Sequence, residues 1–323
     1  MPKPFDSAVV LFRMQRSTAA IVLTAVLAVP VGAQAESFKV ERTKDIDYAG
    51  VPNDPDSELH RLDVFRPVGK DAAPVIFFVH GGGWMIGDKD DVLDIYGYGT
   101  MAEAIARRGV VLVLPNYRLS PKVKHPDHIK DVARAFAWAH ENIAKYGGRP
   151  DQLFLCGHSA GGHLVSLLAT DESYLKAEGL SSKDVCGVIS ISGIYKVDDF
   201  NFKLSMQTEW LTVSADAHPF ASVFGDDPEA LKQASPINHV RPGLPPFLLL
   251  YGSLDYGPIK STTKAFEAAL EDKDDDVDAK KMLFRTHDTL LVDMTHGVDP
   301  GTAEEIMRFV ERHAREDSPK QDR

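Results

Sequence analysis

The sequence predicts the α/β class: one mainly parallel sheet with helices on both faces, all in a single domain of a 323-residue chain. Three observations predict it. Several short runs are apolar at every position, as strands covered on both sides must be. Amphipathic stretches of helical length lie between them. A glycine-flanked serine, in Gly157-His158-Ser159-Ala160-Gly161, stands where one of those strands gives way to a helix.

The elements follow in chain order. Phe38–Tyr48 and His60–Arg66 read as strands on either side of a turn-rich piece, Val51 to Asp56, and are placed as an antiparallel edge. Central strands are read at Val75–Val79, Val110–Leu114, Leu153–Cys156 and Val185–Ile191, followed by Phe247–Tyr251 and Met282–Phe284. Helices are read at Tyr98–Arg108, Ile129–Tyr146, Ala160–Ala169, Ile259–Leu270 and Ala303–His313. Gly109 and the pair Gly147-Gly148 supply stop signals for the first two. Strand–helix alternation of this kind implies right-handed crossovers between parallel neighbours. The stretch from Ile194 to Pro245, after the sixth strand, breaks the alternation and reads as an insertion or lid rich in aromatics. The charge run Glu271–Asp278 reads as a solvated loop; it lacks the Gly and Glu positions of a calcium-binding loop.

Residues 1–35 are set apart from the fold. Lys3, Arg13 and Arg16 precede an apolar run from Thr18 to Val31, and Ala33-Gln34-Ala35 supplies small residues at a cleavage site. This pattern is that of a secretory signal, cut after Ala35, with Met14 an alternative start. The apolar run is short for a stable membrane span, and an uncleaved membrane anchor is the alternative reading. Residues 36–323 are then one exported domain, periplasmic or secreted. The net charge of −11 and the lack of a basic run speak against nucleic acid and against an anionic membrane surface. Export would permit a disulfide, but Cys156 and Cys186 both sit in apolar strand-like runs and read as buried thiols, not nucleophiles.

The chemistry is carried by four segments. A serine at a tight strand-to-helix turn projects its Oγ above the sheet, and Gly157, Gly161 and Gly162 supply the lack of bulk that the turn needs. The helix that starts there favours developing negative charge at its N-terminus. His80-Gly81-Gly82-Gly83-Trp84 ends the first central strand and can turn backbone N–H groups toward an oxyanion. Gly82, Gly83 and Ala160 are the candidate donors, with His80 orienting the loop. A serine nucleophile needs a base, and the base an orienter. Asp255, just past the Phe247–Tyr251 strand, is the candidate acid, with a helix cap as its alternative role. His287 and His296 compete for the base; His287 stands closer to the last strand and is preferred. The remaining histidines, His125 and His128 among them, have no metal-ligand spacing, so neither metal nor cofactor is expected.

At these residues the sequence resembles the α/β-hydrolase superfamily, in its esterase and lipase branch marked by H-G-G-G and G-x-S-A-G. The resemblance runs from about His60 to Ala314. Asn116-Tyr117-Arg118-Leu119-Ser120-Pro121 is similar to the branch's D-Y-R-L-A-P segment, and Ala234-Ser235-Pro236-Ile237 to its A-S-P-I segment. His287-Asp288-Thr289-Leu290-Leu291 resembles the post-strand histidine segment of feruloyl-esterase-like and kynurenine-formamidase-like members, which supports His287 as base. The chain departs from hormone-sensitive-lipase-like members in having little to build an N-terminal cap.

The resemblance implies hydrolysis of a small-molecule carboxylic ester through an acyl-enzyme. The alternatives are an amidase or arylformamidase using the same triad, and a catalytically inactive binding protein on the same fold. Trp84, Trp210 and Phe224 are candidate walls of an apolar pocket.

Overall fold

Strands apolar on both sides need cover on both sides, and the arrangement of the helices supplies it. The computed structural model describes residues 37–90, 97–198, 220–296 and 301–314, save the side chains of residues 293, 295 and 296. Within these, the strands are β1 (Val40–Asp47), β2 (Arg61–Pro67), β3 (Ala73–Val79), β4 (Val111–Pro115), β5 (Gly148–His158), β6 (Gly187–Ile191), β7 (Phe247–Gly252) and β8 (Val277–Met282). They form one sheet in the order β1-β2-β4-β3-β5-β6-β7-β8. The pairs β1–β2 and β2–β4 are antiparallel and the rest parallel. This is the mainly parallel sheet with an antiparallel edge that the sequence predicts.

The helices are α1 (Tyr98–Ala106), α2 (Asp127–Asn142), α3 (Ala160–Thr170), α4 (Glu172–Ala177), α5 (Ala221–Phe224), α6 (Pro228–Gln233), α7 (Gly257–Glu271), α8 (Thr289–His296) and α9 (Gly301–His313). Alternation along β3 divides them between two cores. Val75, Phe77 and Val79 pack on one face with Phe136 of α2, Leu164 of α3 and Phe266 of α7. Ile76 and Phe78 point the other way, into a second core with Met101 of α1, Leu290 of α8 and Phe309 of α9. Among the described residues, no helix is long and apolar enough to cross a membrane.

Three expectations need correction or extension. The last strand is Val277–Met282, not Met282–Phe284. Val277 pairs with Phe247 and Met282 with Gly252, which draws Asp278, Lys280 and Lys281 into the strand. An edge strand is covered less than a central one, so β8 can carry polar residues. The charge run from Glu271 is therefore not one loop: Glu271 ends α7, and Val277 and Asp278 open β8. Helix α8, unread in the sequence, follows the strand and buries Leu290, Leu291 and Met294. Cys156 and Cys186 are both buried and unbridged, and burial pushes the Cys156 thiol upward, which keeps it protonated.

Candidate active site

Ser159 adopts φ 55° and ψ −116°, a backbone conformation L-residues rarely take. Several constraints hold it there. Its N–H donates to the Ile191 carbonyl at 2.9 Å, and its own carbonyl accepts from His163 N–H at 3.0 Å. The surrounding glycines are sterically required. A Cβ on Gly157 would lie 2.4 Å from the Gly161 carbonyl oxygen, and one on Gly161 would lie 2.0 Å from that of Val79. The second contact also brings the end of β3, and with it the glycine loop, against the serine turn.

In that loop Gly82 and Gly83 have φ 104° and 60°, and the Gly82 carbonyl accepts from Met85 and Ile86 N–H groups. Its supports come largely from the segment after β4. The Tyr117 ring stacks on His80 at 4.4 Å, and the Tyr117 hydroxyl donates to the His80 carbonyl at 3.1 Å. Ser120 N–H donates to the Trp84 carbonyl, and Tyr98 Oη accepts from Gly81 N–H. His80 is buried within the loop's base. Further along, Lys89 N–H donates to Asn116 Oδ1, and its ammonium reaches Asp45 at 2.6 Å and Asp63 at 3.0 Å. Burial opposes the Lys89 charge, but these carboxylates outweigh it and push its pKa up to about 12.

Asp255 and His287 meet. Asp255 Oδ1 lies 3.0 Å from His287 Nδ1. A carboxylate only accepts, so Nδ1 carries a proton and Nε2 is the ring nitrogen turned away from Asp255. Asp255 is 4% exposed. Burial pushes its pKa up, but hydrogen bonds from His287, Ser192 and the Tyr256 N–H outweigh that, and the net shift is downward. Ser192 Oγ donates to Oδ2 at 2.5 Å and Tyr256 N–H to Oδ1 at 2.8 Å. The Tyr256 ring lies 5.2 Å from the His287 ring.

The loops bearing Asp255 and His287 are stitched together. Ser253 N–H donates to the Met282 carbonyl, Leu254 N–H to that of Arg285, and Phe284 N–H to Ser253 Oγ. The His287 loop also reaches the serine turn: the ring of His158, the residue before Ser159, lies 4.7 Å from that of His287. Ser159, Asp255, His287 and the glycine loop are thus gathered at the C-terminal ends of β3, β5, β7 and β8. His296 ends α8, and its side chain lies outside the described residues.

Of the three candidate wall residues, Trp84 and Phe224 come together, ring centroids 4.8 Å apart and nearly perpendicular, with Phe220 and His163 on the same indole. Both are buried. Trp210 lies outside the described residues. Sequence reasoning missed Ser192 and Tyr256. Ser192 follows an apolar strand without a motif of its own, whereas Tyr256 is adjacent to Asp255 and could have been found from that position.

Among the described residues, no group of His, Cys, Asp and Glu side chains is disposed to hold a metal ion.

Comparison with known proteins places this geometry in context. Residues 62–270 match the BD-FAE family. The esterase LipQ of Mycobacterium tuberculosis is 35% identical over 237 residues, 72% of this chain and 53% of that protein. Isoprenylcysteine alpha-carbonyl methylesterase ICME of Arabidopsis thaliana is 28% identical over 226 residues, 67% of this chain and 51% of that protein. The chain spans about half the length of these curated relatives. Among solved structures, a truncated carbohydrate esterase from gut microbiota superposes with a TM-score of 0.69 at 18% identity, covering 87% of this chain and 98% of that one. Esterase B of Lactobacillus rhamnosis superposes with a TM-score of 0.68 at 21% identity, covering 85% and 86%. These likenesses establish the α/β-hydrolase fold. With the family match spanning the glycine loop, the serine turn and Asp255, the chain belongs to the BD-FAE family.

Proposed function

We propose that this protein is a serine hydrolase that cleaves carboxylic esters. The observation that carries the proposal is the Asp255–His287 hydrogen bond, formed by a histidine packed against the residue preceding a strained serine. Ser159 is the nucleophile. Its Oγ bonds to the ester carbonyl carbon while its proton passes to His287 Nε2. The Gly82, Gly83 and Ala160 N–H groups receive the developing oxyanion. Collapse expels the alcohol, which takes the proton from His287 and leaves an acyl-Ser159. Water then gives a proton to His287 and attacks the acyl carbon. The acid leaves and Ser159 Oγ recovers its proton. Asp255 fixes the tautomer and offsets the imidazolium charge. Trp84 and Phe224 are buried against each other and back the glycine loop from within; Phe220, half-buried on the same indole, is the member of the cluster that an acyl group can meet.

Replacing Ser159 with Ala removes the nucleophile. We expect turnover of a short-chain aryl ester to fall by a factor on the order of 10⁴ or more, and labelling by a fluorophosphonate to vanish, with the thermal midpoint unchanged. A folded Ser159→Ala protein with undiminished turnover would refute the assignment.

We also propose export, on the strength of the basic, apolar and small-residue pattern in residues 1–35. N-terminal sequencing of the protein from the producing cell should begin at Glu36; a cytoplasmic protein that retains those residues rejects the reading.

A further inference from the structure

The position just before the nucleophile in its turn is occupied by a histidine, His158, whose side chain the reaction does not consume. His158 is 1% exposed. Its Nε2 lies 3.0 Å from the backbone carbonyl oxygen of His287. A carbonyl only accepts, so the proton of this ring sits on Nε2. Burial, then the neighbouring His287 ring, lower the His158 pKa to about 3, and the ring is neutral at physiological pH. It therefore has one N–H to give, and gives it to the base loop. On the opposite side the same residue meets the glycine loop: a Cβ on Gly81 would lie 3.0 Å from the His158 carbonyl and 3.1 Å from its Nδ1. One side chain, rooted beside the nucleophile, thus touches both the loop carrying the oxyanion donors and the loop carrying the base.

We infer that His158 is a positioning residue that sets where the His287 imidazole stands relative to Ser159, by holding the His287 carbonyl and packing on its ring. The inference rests on the reading of His287 as base. Its physical basis is steep: misplacing a reacting group by about 1 Å can cost on the order of 100-fold in rate. An apolar residue of similar size would fill the space and leave the His287 carbonyl without this donor.

The test compares three His158 variants by active-site titration with a fluorophosphonate, followed by kcat and KM on a short-chain aryl ester and a thermal midpoint. His158→Leu fills space without donating. His158→Gln places an amide N–H near the position of Nε2. His158→Asn carries its amide only as far as Nδ1. We expect Leu and Asn to lower kcat per titrated site at least tenfold with KM within twofold of the parent, and Gln to exceed Asn at least tenfold. The Gln–Asn comparison decides the matter even where the Leu variant does not fold. Leu at the parental kcat, or Gln and Asn equally slow, would overturn the inference, because His158 would then only fill space. His287→Ala is the separate control. If it retains turnover while Ser159 still labels, the base assignment falls, and the inference with it; if it is inactive, the Gln–Asn comparison judges His158 alone.

Discussion

Asp255 is a buried carboxylate, and its environment decides whether it stays ionised. Ser192 is one of the groups that keeps it so, and its hydrogen bond to a charged acceptor is of the kind worth about 1.5–3 kcal/mol. Because the Asp255 pKa is lowered in the fold, its contribution to stability is present above the unfolded carboxylate value, about 3.9, and is lost as pH falls through the lowered folded value. Ser192→Ala removes one cause of that lowering. The variant should be less stable at neutral pH by roughly 1–3 kcal/mol. It should also have a shallower acid limb, since it has less to lose below pH 4. Urea titrations between pH 3 and 7 measure both. Identical curves for the two proteins would show that the bond contributes nothing. At this scale the sequence was readable where chemistry needs a rare residue in a rare setting. The serine between glycines, and an acid and a histidine in the order Ser, Asp, His, could be singled out, and the fold brings Asp255 and His287 into contact. Ser192 could not, because a serine after an apolar strand signals nothing until the sheet brings β6 beside β7.

Among the elements, the junction between the β7 and β8 ends is the most tightly specified. Gly252 closes β7, and a Cβ there would lie 2.1 Å from the Arg285 carbonyl oxygen. Gly252→Ala must push the His287 loop away from the Asp255 loop. Overpacking of this sort costs about 1–3 kcal/mol in stability. The larger effect should fall on kcat per labelled active site, at least tenfold, because the Asp255–His287 bond spans the same gap. A fully active Gly252→Ala protein would show that the two loops move as one and that the contact is not limiting. Element reading succeeded where period and composition agree, as in β3, β4 and α7. It failed at β8. The apolar triplet Met282-Leu283-Phe284 looks like a strand core, yet Leu283 is 64% and Phe284 80% exposed. An edge strand is chosen by backbone pairing with β7 more than by burial, so its register is only weakly written in hydrophobicity. Helix α8 was hidden for a related reason: its eight residues are too few to display a period.

For the molecule as a whole, the alternation of strand and helix carried most of the information. It implied the sheet, both covering layers, and the end of the sheet where the serine would lie. It could not say that the antiparallel pair β1–β2 would be joined to the first central strands through a buried charge cluster, with Lys89 and Asp63 both almost inaccessible. Only the fold brings those residues together. The site is likewise a product of the complete sheet: its parts are separated by more than two hundred residues of chain, from His80 to His287.

That separation has a temporal consequence. During synthesis the serine turn emerges long before His287, and among the described residues β8, at the edge of the sheet, pairs with β7 alone. Non-local pairings are slow to close and are completed late. On the mechanism proposed above, a nascent or partly refolded chain that already possesses its central strands would carry Ser159 with no base to deprotonate it. In refolding from denaturant, recovery of ester turnover should lag behind the return of far-UV ellipticity; simultaneous recovery would count against this order of events. Such a delay would leave the serine silent while the polypeptide is still unfinished, so that its own reactivity becomes the last sign of maturity.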